Sequence, residues 1–403
     1  MTRRSFVKAA AITAGASALG IEAAHNLTPS NKAWADNDVQ EIRTSCRACI
    51  ANCGVIATVS NGRVIKLKGD PIDPMSKGRI CPKGISGVQA LYHPNRNKYP
   101  MKRVGEKPGN QWERISWDEA AKIVAQHMID MRDKTGKHGL LCTTGGGGNP
   151  QFFSPPRFRN FWGAGNVFEP GCAQCLLPRA FTMPLVNGID NTSIADSGCL
   201  ELYKPAKYGG LTEVYVMWGT APAWHSPATS GRCVAELRAN GCKTIVVDPR
   251  FNADASKADV WLPIKPGTEL FLLLGVARQL IKDGVAAPAG GLDDFAALVA
   301  KWTPEKVCEI TGLMPERFTA VVDGLKKAKK PLVVVGSDMD QGGGTGPVRI
   351  GMAINMLLDR VNKEGGMRMI PLAPPAVNGA ASYDVLMQGD LVIRAQNVAQ
   401  KVH

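Results

Sequence analysis

Cys46, Cys49 and Cys53 lie together in TSCRACIANCGVI, and Cys81 follows in GRICPKG, giving the spacing C-x2-C-x3-C-x27-C. Thiolates are soft-metal ligands, so four of them suit either tetrahedral zinc or a cubane iron–sulfur cluster. Zinc ribbons pair two C-x2-C knuckles, and neither Cys53 nor Cys81 belongs to one. Three clustered ligands and one distant ligand suit a cubane better. Disulfides are the third reading, although an odd total of 11 cysteines argues against a complete disulfide framework. Lys83 stands two positions after Cys81. A cation there would raise the reduction potential of an anionic cluster by charge alone; otherwise it is a surface lysine.

The fourth cysteine needs an element that returns the chain to the first three. Residues 55–59 and 63–67 read as strands around Asn61-Gly62, a turn pair that favours positive φ, and so predict a hairpin. Beyond residue 115 the pattern changes to helices alternating with apolar runs. Ser116 with Glu119 three residues on predicts a capped helix to about residue 134. Residues 140–148, LLCTTGGGG, read as a short strand breaking into a glycine loop. Residues 213–222, 243–250, 260–269 and 331–340 read as buried strands with their turns, with helices expected over about 228–240 and 268–283. Apolar runs without alternation, separated by helices, predict parallel β/α layers. In such sheets ligands lie at the carboxyl ends of the strands, where Gly219, Asp248 and Gly336 fall.

Helix N-termini at such an edge favour a pyrophosphate, and Asp248 and Glu269 can accept hydrogen bonds from a ribose or a guanine. Each is equally readable as an ordinary cap or surface carboxylate. No G-x-G-x-x-G opens a helix after a strand, so nicotinamide binding is not supported. His225 could meet a phosphate or serve structure. Cys142, Cys199, Cys233, Cys242 and Cys308 are scattered and read as core residues.

At 403 residues the chain requires two or three lobes. Its net charge of +13 comes without a basic block and with few aromatics, which argues against nucleic acid binding. Residues 1–35 read as an export leader: Thr2-Arg3-Arg4-Ser5-Phe6-Val7-Lys8 is a twin-arginine pattern, Ala9 to Ile21 is weakly apolar, and Ala33-Trp34-Ala35 is a cleavage site. This predicts a mature protein in the periplasm or on the outer face of the cytoplasmic membrane.

The leader, the cysteine pattern and CPKG resemble the catalytic subunits of molybdopterin oxidoreductases, the dimethyl sulfoxide reductase family. LYHPNRNKYPMKRVGEKPGNQWERISWDEA (91–120) resembles the segment after the cluster in that family, and is most similar to exported, catechol-dehydroxylase-like members of anaerobic gut bacteria. The resemblance spans residues 40–370. It implies an α/β fold in which a small iron–sulfur lobe (36–105) precedes Rossmann-like parallel β/α layers (106–370) that bind molybdopterin guanine dinucleotide. Residues 371–403 form a tail, and no pattern of the family's C-terminal lobe follows, so a split gene or a truncated product is expected.

By the same resemblance Cys46, Cys49, Cys53 and Cys81 hold a [4Fe-4S] cluster, and Lys83 lies between cluster and pterin. GTAPAWHSP, VVDPR and PGTE resemble cofactor-contacting segments, which carries over Gly219, Pro222, Asp248, Arg250, Gly267, Thr268 and Glu269. Ala221 stands where the family often has Asn, and Glu269 where Asp is commoner. GSDMDQGGG resembles a loop near the pterin, with Gly336 and Gln341 as contacts. The molybdenum ligand falls in GAGNVFEPGCAQC; Cys175 is favoured over Cys172, with a one-residue shift from the family spacing. The residues alone leave this pair open to being a disulfide or two buried thiols.

The implied cofactors are the [4Fe-4S] cluster and Mo-bis(molybdopterin guanine dinucleotide). The implied partners are an iron–sulfur electron-transfer subunit, with or without a membrane anchor subunit, and a small-molecule substrate losing oxygen, sulfur or a hydroxyl in anaerobic respiration. A non-catalytic iron–sulfur electron-transfer or cofactor-holding protein is the alternative.

Overall fold

The computed structural model describes residues 39–49, 51–143, 154–163, 166–168, 182, 212–336, 344–361 and 363–367. They fall into two compact units. One comprises the described residues up to Ala48 with Asn52–Arg96, and the other Cys49–Ala51 with those from Asn97 onward.

The first unit is a three-stranded antiparallel sheet in the order β1 (Val39–Ser45), β2 (Gly54–Ser60), β3 (Arg63–Gly69). The expected hairpin is present. Asn61 and Gly62 have φ of 47° and 73°, the paired positive values of the turn that matches strand twist. Val55, Ile56 and Ala57 of β2 are buried, whereas β1 is exposed along its whole length. Two short helices follow, α1 (Pro82–Ile85) and α2 (Gly87–Leu91).

The second unit opens with an antiparallel hairpin of β4 (Met101–Arg103) and β5 (Trp112–Arg114). Then comes α3 (Trp117–Thr135), whose first turn is capped as the sequence predicts, with Glu119 N donating to Ser116 Oγ at 3.1 Å. β6 (Leu141–Thr143), α4 (Ser154–Trp162) and β7 (Asn166–Phe168) follow, with β6 and β7 parallel.

The core is built by β8 (Val214–Trp218), α5 (Pro222–His225), α6 (Arg232–Ala239), β9 (Lys243–Val247) and β10 (Val260–Leu262). It continues through α7 (Glu269–Lys282), α8 (Leu292–Val299), α9 (Pro304–Thr311), α10 (Pro315–Lys327), β11 (Pro331–Val335) and α11 (Thr345–Leu357). The four strands form an all-parallel sheet in the order β10-β9-β8-β11. VYVMW and PLVVV are buried at every position, which explains their unbroken apolar runs. Helix α7 buries Leu272, Leu273, Val276, Ala277 and Leu280 and packs against α8, α9, α10 and α11. The helix expected over about 228–240 starts later. Pro227–Gly231 is a π turn, with Gly231 N donating to Ser226 O at 3.0 Å, and α6 begins at Arg232.

Helix α11 is fixed to β11 by Asn355, which is fully buried. Its Oδ1 accepts from Val333 N at 3.0 Å, and its Nδ2 donates to Val333 O at 2.8 Å and Gly351 O at 3.2 Å. Among the described residues no helix is long and apolar enough to cross a membrane.

Candidate cofactor sites

In the first unit the hairpin geometry decides where the cysteines go. Ser45 of β1 stands opposite Gly54 of β2, so Cys46 and Cys53 flank the last rung of the ladder. Cys46 N donates to Cys53 O at 2.8 Å. β3 ends at Gly69, opposite Val55, and so returns the chain to this same end. The loop after it is pinned by two aspartates. Asp70 N donates to Gly54 O at 2.9 Å, and the Asp70 carboxylate pairs with Arg43 at 3.2 Å.

Asp73 does more. Its Oδ2 accepts from Gly54 N at 2.8 Å and from Ser76 Oγ at 2.6 Å, and its Oδ1 accepts from Met75 N at 3.0 Å. Burial opposes its charge, yet the bonds from the Ser76 hydroxyl and the Gly54, Met75 and Ser76 amides hold the carboxyl below the ordinary carboxylate range. This loop delivers Cys81 to the N-cap of α1. The first turn of α1 lies against the first cysteine: a Cβ on Gly84 would stand 3.1 Å from Cys46 Sγ.

Cys46, Cys53 and Cys81 are therefore brought to one end of the hairpin, and Cys49 is half-buried in the intervening turn. None of the four is in a disulfide. Their side chains are not drawn around a single point: among the described residues no three or more His, Cys, Asp or Glu side chains stand as a set able to hold a metal ion. The donor chemistry fits a thiolate-held cluster, and the backbone of three of the four cysteines is already convergent. Lys83 is exposed on α1. Asp73 gave no sequence signal beyond its place between prolines in DPIDP.

In the second unit Gly219, Asp248 and Gly336 immediately follow β8, β9 and β11, all at the carboxyl edge of the sheet. The chain leaves β8 towards β9 and comes back as β11 on the other side of β8, so the order reverses there. The two glycine segments meet at this point. Gly336 N donates to Trp218 O at 2.7 Å, and a Cβ on Gly336 would fall 2.0 Å from Gly219 O, so only glycine fits. Pro222 is buried at the start of α5. His225 bonds Ser226 Oγ through Nδ1 at 2.9 Å and Thr220 Oγ1 through Nε2 at 3.3 Å, an arrangement that orders its own loop.

Asp248 is buried and turned inward. Its Oδ1 accepts from Arg250 N and its Oδ2 from Asn252 Nδ2, both at 2.7 Å. It thus shapes the loop that exposes the Arg250 guanidinium, rather than standing open as an acceptor. Gly267 takes φ of 82°, and a Cβ there would meet nothing within 4 Å. Thr268 caps α7 in backbone only, its hydroxyl donating to Lys265 O at 2.5 Å, and Glu269 is half-buried in the first helical turn. An open glycine at a helix N-terminus, with Arg250 exposed on a neighbouring loop of the same edge, fits a phosphate-bearing ligand.

Cys233, Cys242 and Cys308 are buried, and burial with the nearby Asp259 charge pushes the Cys242 thiol up to about 12. These thiols are inert core groups, as expected. Cys142 is half-buried on β6. Cys172, Cys175, Cys199 and Gln341 lie outside the described residues, as does the leader. A surface cleft lined by Lys98, Tyr99, Arg114 and Trp117 touches none of the expected site residues.

Residues 39–93 match the molybdopterin oxidoreductase Fe4S4 domain, and residues 96–400 match the molybdopterin oxidoreductase domain. Among curated proteins, the chain is 34% identical to the menaquinone reductase, molybdopterin-binding-like subunit, of Nitratidesulfovibrio vulgaris, over 89% of this chain and 50% of that protein. It is 33% identical to dopamine dehydroxylase of Eggerthella lenta, over 85% of this chain and 32% of that one. Acetylene hydratase from Pelobacter acetylenicus shares the fold, with a TM-score of 0.65 at 22% identity, over 82% of this chain and 45% of that one. The chain therefore spans half or less of the length of these relatives. The cysteine hairpin, the reversed parallel edge and both domain matches agree: the chain belongs to the molybdopterin oxidoreductase family, with that family's iron–sulfur and molybdopterin cofactors.

Proposed function

We propose that the chain is the cofactor-bearing N-terminal portion of the catalytic subunit of a molybdenum oxidoreductase that reduces a small substrate by removing oxygen, sulfur or a hydroxyl in anaerobic respiration. Cys46, Cys49, Cys53 and Cys81 hold the [4Fe-4S] cluster. Gly219, Pro222, Arg250, Gly267, Thr268, Glu269, Gly336 and Gln341 contact molybdopterin guanine dinucleotide, with Asp248 shaping the loop that carries Arg250. Cys175 is the molybdenum ligand, and Lys83 lies on the route between the two groups. When bound, these groups supply the electron transfer and the redox chemistry. The chain's own residues bind and orient them: thiolates for iron, main-chain amides and a guanidinium for phosphate.

The observation that carries this reading is the juxtaposition of Gly219 and Gly336 where the strand order reverses. The leader pattern supports twin-arginine export, and the relatives that are themselves named as subunits support a partner subunit. Metal and nucleotide analysis of the purified chain tests the reading: iron, molybdenum and acid-released guanine together are the expected result. Iron alone would favour a non-catalytic, cofactor-holding protein, a second reading supported by the "molybdopterin-binding-like" relative. A colourless protein with zinc would overturn both.

A further inference from the structure

Asp254 lies in the loop between β9 and β10 and is 1% exposed. Its Oδ2 accepts from Ala223 N at 2.9 Å, across 31 residues of sequence. It thereby caps the first turn of α5, whose N-cap residue, Ala221, has no side chain able to do so. The backbone of Asp254 is fixed on both sides. Its N donates to Asn252 Oδ1 at 2.9 Å, and its O accepts from Arg238 Nη2 at 3.1 Å. The second carboxyl oxygen, Oδ1, is buried and has no hydrogen-bond partner among the described residues. A charged carboxylate with one bare, buried oxygen carries a large desolvation cost, and a neutral carboxyl costs much less.

We propose that Asp254 is a positioning residue of the dinucleotide edge, which clasps the β8 loop to the β9 loop through Oδ2 while its buried, bare Oδ1 disfavours the charged form. The proposal rests on the reading of that edge given above. In the neutral form Oδ2 still accepts from Ala223 N, so the loop from Gly219 to His225 stays docked. Three charged groups face the carboxyl: Arg238 of α6 and His225 of α5 favour its ionised form, and Asp248 of the β9 loop opposes it. Burial outweighs these, together with the Ala223 amide bond that also favours the ionised form, and lifts the carboxyl above its usual range. A folded-state value raised above the unfolded one gives stability that is present at acid pH and is lost as pH rises through the raised value. The fold around the clasp therefore loses stability with rising pH.

The test uses the full chain as wild type, Asp254→Asn and Asp254→Ala, dialysed between about pH 4.5 and about pH 8, with retained guanine measured after acid release. Wild type is expected to lose guanine as pH rises. Asp254→Asn, which accepts from Ala223 but cannot ionise, should hold the acid-side level throughout. Asp254→Ala should retain roughly tenfold less at every pH, the effect of a lost buried acceptor. If Asp254→Asn follows the wild-type curve, the pH step belongs to His225 and the proposal fails; it fails equally if Asp254→Ala matches wild type. Thermal melting of the same proteins without added cofactor gives a second readout, in which wild type should fall relative to Asp254→Asn as pH rises. If no protein, wild type included, carries guanine, the cofactor reading fails and the melting curves alone decide the clasp.

Discussion

The two units are stabilised by different means. The first buries little apolar surface: Cys53, Val55, Ile56 and Ala57 are its buried hydrophobic residues, and β1 is open to solvent. Its loop geometry depends on local polar latches, above all Asp73. In the second unit, β8 and β11 are buried at every position and α7 carries a continuous apolar face into the core. A small unit with few buried apolar residues gains most from added staples, and under the proposed function bound iron would be one. Iron binding would then be coupled to folding in the first unit, whereas the carboxyl edge of the parallel sheet rides on a framework that folds by packing.

Iron removal is the sharpest way to break that contrast. Chelation, or Cys53→Ser, should abolish amide protection across residues 39–96 and open them to protease, while the melting of the second unit moves little. A single melting transition lost as a whole would refute the division. Next in size, Leu272→Ala in α7 removes a fully buried side chain. It should cost about 2–5 kcal/mol in denaturant unfolding of the second unit and leave the first unit's iron content unchanged. Asn355→Ala strands the Val333 amide and carbonyl and should cost about 1–3 kcal/mol in the same transition.

Asp73→Asn gives the smallest effect and the most specific one. With the amide oxygen in the place of Oδ2, the amide nitrogen faces the Met75 N–H and cannot accept from it, so iron retention should fall about fivefold at neutral pH. The Asp73 carboxyl is held low, so its stabilisation is present above the unfolded carboxylate value and is lost as pH falls through the folded one. Wild type and variant should converge as pH falls through that folded value; a difference that persists in acid would assign Asp73 a role other than charge-assisted bonding.

The sequence made the local elements readable. Asn61-Gly62 announces its hairpin, Ser116 with Glu119 announces its helix, and unbroken apolar runs announce parallel strands, because each signal lies within one element. The residues that tie elements together were silent. Asp73 reaches Gly54 across 19 residues, Asn355 reaches Val333 across 22, and Asp254 reaches Ala223 across 31. No periodicity records such a pairing. Asp248 shows the opposite lesson: a carboxylate after a strand was legible as a site residue, yet its oxygens are spent on its own loop. FNAD, with Asn252 and Asp254 two apart, did carry turn chemistry that pointed to an organised loop.

Asn355 has a consequence beyond holding a helix. β11 lies at the margin of the four-stranded sheet. Pro331 offers no amide hydrogen there, and both main-chain groups of Val333 are already taken by a side chain. That border cannot template a fifth strand along its length, so self-association by strand addition is blocked at mid-strand. Among the described residues, a strand arriving at this border would therefore be met by side chains at Val333, not by an open ladder.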